Sequence, residues 1–140
     1  MFSIDRALEA IAVTSYVPGH GSVADFAGDS LYVEEVYAGV VGPSALLTYR
    51  RLLRHLAAGE QPVVFEVAEL AASIGVKRDI MLRSLERLVR FRFAHLERAG
   101  GEQLAIHTRI PIVSAYHFEG LSASARAEHY RLARELRAAV

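Results

Sequence analysis

The run from Leu70 to Leu85, Leu-Ala-Ala-Ser-Ile-Gly-Val-Lys-Arg-Asp-Ile-Met-Leu-Arg-Ser-Leu, limits what this chain can fold into more than any other stretch. Leu70, Ala71 and Ile74 stand at i, i+1 and i+4, one face of a short helix. Gly75 follows where a left-handed residue ends a helix, and Val76 is placed to plug the corner. From Lys77 to about Phe91 a second helix is predicted. Its Met81, Leu85, Leu88 and Val89 fall on one stripe, and its other face is basic.

The flanking sequence supplies matching parts. Gly42-Pro43-Ser44 announces a helix with proline in its first turn, whose apolar face is Leu46, Leu47, Tyr49, Leu52, Leu53 and Leu56 and which Gly59 ends. Pro62-Val63-Val64-Phe65 reads as a short strand. Glu66-Val67-Ala68-Glu69 enters the next helix without a Ser, Thr or Asp cap, although acidic residues suit a helix N-terminus. After the second helix, Ala94-His95-Leu96-Glu97-Arg98 and Gln103-Leu104-Ala105-Ile106-His107 flank Ala99-Gly100-Gly101-Glu102, a hairpin signal.

On these residues the chain resembles the winged helix-turn-helix superfamily of bacterial DNA-binding proteins. The family has a small residue where Ala71 stands, a glycine at Gly75, and buried apolar residues at Val76, Met81 and Leu85. The resemblance covers roughly Pro43 to Arg109, and the whole chain looks like small regulator-like proteins of actinobacteria and their mobile elements or phages. It implies a mainly α fold with a small β wing (α+β), in which residues 62–65 pair with the wing. The expected division is an acidic N-terminal extension (1–42), a winged helix-turn-helix domain (43–110) and a C-terminal amphipathic helix (111–140).

Charge bears on the ligand. The net charge is zero, but residues 1–42 hold six acids against Arg6 alone, a balance of −5, whereas residues 77–98 hold seven basic residues against three acids, a balance of +4. Such clustering is the electrostatic footprint of phosphate binding, though a charged helix face is also common as plain solvated surface. With Met81, Ser84, Leu85 and Leu88 inward, Lys77, Arg78, Ile80, Arg83 and Arg87 project outward as DNA-facing candidates. Arg83 is best placed for a guanine edge; Lys77, Arg78 and Arg87 suit phosphates. In the wing Arg98 approaches a minor groove or flanking phosphate, with Arg109 a weaker candidate. Ile80 meets a thymine methyl, or else Ile80 and Leu82 mark a protein-binding face, with the acidic N-terminal region taking part. Asp79 and Glu86 would repel a DNA backbone.

Ile4, Ala7, Leu8 and Ile11, after a Ser3 cap, predict a helix over 3–16. Val17-Pro18-Gly19-His20-Gly21-Ser22 breaks it and lacks the GK[ST] ending of a phosphate loop. Leu31 to Tyr37 is rich in strand-favouring residues and reads as an added strand or an acidic arm. Ser122 caps a terminal helix whose stripe of Ala127, Tyr130, Ala133 and Leu136 needs a partner surface, either its own domain or the same helix of a second copy.

No catalytic, metal or cofactor site is expected. The chain has no cysteine, and His20, His55, His95, His107, His117 and His129 show no metal-ligand spacing. His95 and His107 would face each other in a symmetric hairpin, a contact either incidental or pH-sensitive. No apolar run approaches about 18 residues and the first residues lack a basic leader, so a soluble, cytoplasmic, nucleoid-associated protein is expected. The reading is a sequence-specific binder of double-stranded DNA, regulating transcription and dimerising through the C-terminal helix. Its alternatives are a winged-helix protein-interaction module, or a DNA-binding part of a replication or mobile-element system.

Overall fold

The structure is a computed structural model and describes residues 4–18, 25–98 and 102–138. Twelve elements run in the order β1 (Ala10–Tyr16), β2 (Asp25–Ala27), α1 (Leu31–Val41), α2 (Pro43–Ala57), β3 (Val63–Glu66), α3 (Val67–Ile74), α4 (Arg78–Arg90), β4 (Ala94–Glu97), β5 (Gln103–His107), β6 (Arg109–Pro111), α5 (Ala115–Glu119) and α6 (Ala123–Ala138). The fold is α+β, six helices around a small mixed sheet among the described residues. No helix among them is long and apolar enough to cross a membrane.

The helix expected over 3–16 is instead a turn followed by a strand. The Asp5 carboxylate accepts the Ala7 amide at 2.9 Å and turns the chain there. Beyond it, Ile11 and Val13 alternate inward with Ala12 and Thr14 outward, a period of two that the helical spacing of Ile4, Ala7, Leu8 and Ile11 had masked. β1 is flanked on both sides, antiparallel to β3 with Ile11 opposite Phe65 and parallel to β5 with Val13 opposite Leu104. Pairing on both edges outweighs local helix preference. It also corrects the expected partner of residues 62–65: the sheet order is β3-β1-β5-β4, so β1 lies between β3 and the β4–β5 hairpin.

Residues 31–37, read as strand or arm, open a helix. Ser30 caps α1 by accepting the Val33 amide, and Tyr32, Val33, Val36, Tyr37 and Val41 recur on one buried face. Gly42 joins α1 to α2 at φ +92°, a conformation that favours glycine, and its amide closes onto the Ala38 carbonyl. Proline then starts α2 where no amide is needed. The region read as an extension is thereby built into the protein: Ile11, Val13, Tyr32, Val33 and Val36 share one core with Tyr49, Leu52, Met81, Leu85, Leu88, Phe93, Leu104 and Ile106.

At the centre of that core Phe93 meets Tyr37 and Tyr49 edge-on, with ring centroids 5.2 and 4.8 Å away. The C-terminal helix finds its partner in its own chain. α6 packs on α1, and the Tyr32 hydroxyl lies 2.8 Å from His129 Nδ1 while accepting the Val113 amide at 3.1 Å. The buried face of α6 is Leu132 and Ala133; Ala127 and Tyr130, placed on the stripe by periodicity, are exposed, and the Leu136 side chain lies outside the described residues.

Candidate nucleic-acid interface

α3 and α4 meet through the three-residue turn Gly75-Val76-Lys77. Gly75 takes the left-handed conformation at φ +85°, and its amide and that of Val76 return to the Ala71 carbonyl. Ala71 is buried beneath the corner, where a larger side chain would hold the two helices apart. Met81, Ser84, Leu85 and Leu88 point inward as their spacing predicts, and the Thr48 hydroxyl of α2 lies 3.8 Å from the Met81 sulfur. α4 is thus a fixed rod, held by α2 and α3.

Its outward residues divide into two groups. Lys77 and Arg83 are exposed, and Arg83 has no hydrogen bond or ion pair among the described residues. Arg78 and Arg87 are half-buried and already engaged. Arg78 donates to the Arg6 carbonyl at 2.5 Å and to the Leu8 carbonyl. Arg87 donates to the Val41 carbonyl at 2.6 Å and the Val40 carbonyl at 3.0 Å, which satisfies acceptors at the end of α1 that have no helical partner. Both guanidiniums therefore tie distant backbone to α4. Ile80 is half-buried, and Leu82 is 0% exposed, so the pair does not form an apolar docking face.

What α4 leaves open is a strip of Asp79, Arg83 and Arg90, at i, i+4 and i+11, with the sheltered Glu86 at i+7 between them. The N-terminal segment modifies this strip, which periodicity had no means of revealing. Glu86 accepts the Ile4 amide at 2.7 Å and pairs with Arg6 at 2.9 Å. Arg6 offsets the acid that would repel a phosphate backbone. From α2, Arg51 donates to the Ser73 carbonyl and hydroxyl at 3.3 and 3.1 Å and fixes the end of α3.

β4 and β5 form the expected antiparallel hairpin, with Leu96 opposite Leu104 and Glu97 opposite Gln103. Arg98 leaves β4 exposed, 3.9 Å from Glu102. The turn residues 99–101 lie outside the described residues, as do Gly19 to Ser22. Arg109 sits on β6 rather than at the hairpin, donating to the Asp25 carbonyl at 2.9 Å. Among the described residues no group of three or more His, Cys, Asp or Glu is placed to hold a metal ion. Comparison with known proteins gives no match to a family model, a curated protein or a solved structure.

Proposed function

We propose that α2, β3, α3, α4 and the β4–β5 hairpin act as a winged helix-turn-helix with β1 inserted in its sheet, and that the chain binds duplex DNA through α4 to regulate transcription. The observation that carries this reading is Arg83: an unengaged guanidinium at the middle of the open strip of a helix anchored on its other sides. Bidentate bonding to a guanine edge needs such a donor, fixed in direction by the helix that bears it. Lys77, Arg90 and Arg98 serve phosphates in this reading, while Arg78 and Arg87 are structural. Ile80, half-buried, offers an apolar contact beside Arg83. Two copies reading two half-sites would pair through the outer face of α6, where Ala127 and Tyr130 are exposed. A role in a replication or mobile-element machine uses the same surface and differs only in what is recruited.

The test is fluorescence anisotropy of a labelled duplex at low and moderate salt, with Arg83→Ala beside the parent chain. Salt-sensitive binding that weakens in Arg83→Ala supports the reading. Equal, salt-insensitive signals from both chains overturn it.

A protein-binding role has its own observation. Tyr116 is 83% exposed and Tyr130 58% exposed. Tyr116 lines a groove of about 840 Å³ with Val36, Val40, Phe91 and Leu121. That face lies on α1, the Phe91 cap of α4, α5 and the start of α6. Tyr116→Ala separates the two readings, because it leaves α4 untouched.

A further inference from the structure

The outer face of the sheet carries a titratable cluster built by three strands. Tyr16 of β1 stands opposite His107 of β5, while His95 of β4 stands opposite Ala105 and so lies diagonal to His107. The two imidazoles meet with His95 Nδ1 2.7 Å from His107 Nε2. Tyr16 closes on both, edge-on to His95 with centroids 4.7 Å apart and tilted against His107 at 5.1 Å. Ala105 is fully buried beside them.

Three further groups face the pair. From β4, the Glu97 carboxylate lies 3.3 Å from His95 Nε2. From the residue after α4 and its cap, the Arg92 backbone hydrogen-bonds His107 in the sense that favours the charged ring, as a carbonyl does. From β1, the Tyr16 phenol ring packs against both imidazoles.

A carboxylate and a backbone carbonyl only accept, so the row Arg92 carbonyl, His107, His95, Glu97 has three gaps, each needing one hydrogen. Two neutral imidazoles bring two. A third hydrogen completes the row as a single imidazolium, whose charge Glu97 balances. A fourth has no gap to fill, because it would set two N–H groups against each other between the rings. Burial, and then the neighbouring His95 charge, hold His107 below the ordinary histidine value.

We propose that His95 and His107 form an acid-opened clasp: sharing one excess proton they hold the β4–β5 hairpin closed against Tyr16 of β1, and a second proton drives the rings apart and loosens the hairpin. The clasp lies on the sheet and is independent of what α4 binds.

The test is ring-nitrogen NMR of the intact chain from about pH 8 to about pH 4, across the histidine range, following the amides of 94–97 and 103–107 in the same samples. The clasp predicts that the pair takes up its protons in two separate steps, and that the hairpin amides shift with the lower step. His107→Gln leaves a single step with no accompanying amide shift. His95→Gln gives the same result if the first variant fails to fold. Simultaneous titration of both rings near about 6.5, or a lower step that leaves the hairpin amides unmoved, overturns the proposal.

Discussion

Arg6 and Glu86 are 80 positions apart in the chain and form an ion pair at 2.9 Å on the flank of α4. Glu86 also receives the Ile4 amide at 2.7 Å. The two contacts differ in worth, because Arg6 is more than half exposed while the Glu86 side chain is 15% exposed. An exposed pair contributes about 0–1 kcal/mol, whereas a sheltered hydrogen bond to a charged group contributes about 1.5–3 kcal/mol. Arg6→Ala is therefore expected to leave the urea midpoint almost unchanged. Glu86→Ala should lower it clearly and remove hydrogen-exchange protection at the Ile4 amide. Equal small effects from both would show that the N-terminal segment is not held through Glu86.

Gly28 tests how tightly α2 approaches the strand region. A Cβ built there lies 2.1 Å from the Tyr49 hydroxyl oxygen and 2.7 Å from Leu53 Cδ1. Tyr49 has little freedom to withdraw, since its hydroxyl donates to the His107 carbonyl and its ring packs on Phe93. Gly28→Ala should destabilise by about 1–3 kcal/mol, the usual range for overpacking. Tyr49→Phe in the same background should recover part of that loss by removing the nearest atom. A melting curve unchanged by Gly28→Ala would contradict this packing.

The Tyr32 hydroxyl joins three parts of the chain: α1, the Val113 amide after β6, and His129 of α6. Tyr32→Phe leaves the buried Val113 amide without its acceptor, which costs about 1–3 kcal/mol. Loss of amide protection at Val113 and through α6, with the rest of the chain still protected, is the expected hydrogen-exchange pattern. Uniform protection would show that α6 does not depend on this contact.

The pH dependence follows from His107. Its pKa is lowered below the ordinary value of 6.5, first by burial and second by the His95 charge, against a smaller opposing contribution from the Arg92 backbone. In the window below 6.5 and above the lowered value, the unfolded chain binds more protons than the folded one. This contribution to stability is complete above the unfolded value and is lost as pH falls through the folded one. Urea midpoints should drop on acidification through that window, and His107→Gln should flatten the drop. A parent chain whose midpoints stay level there would contradict the shift.

These residues also show where the amino-acid sequence was legible. α3, the Gly75 corner, the inward stripe of α4 and the β4–β5 hairpin depend on periods and turn chemistry within a few residues, and all were readable. β1 was read as a helix, and the start of α1 as a strand or an arm. The strand gains its preference from β3 and β5, far along the chain, and the helix rests on a Ser30 cap and a buried stripe that the strand-favouring Tyr and Val residues obscured. Arg78 and Arg87 had the spacing of DNA contacts, yet their acceptors belong to Arg6, Leu8, Val40 and Val41. Leu82, read as outward-facing, is fully buried in the shared core. Helical spacing gives the direction of a side chain; what lies in that direction is set by tertiary contacts.

Selection of bound fragments from a random duplex pool, with the parent chain and Arg83→Ala side by side, bears on α4 as a DNA reader. We expect one enriched motif for the parent, affinity for it that falls steeply with added salt, and relaxed preference at one base position in Arg83→Ala. No enrichment by the parent, or a motif identical in both chains, would contradict base reading by Arg83.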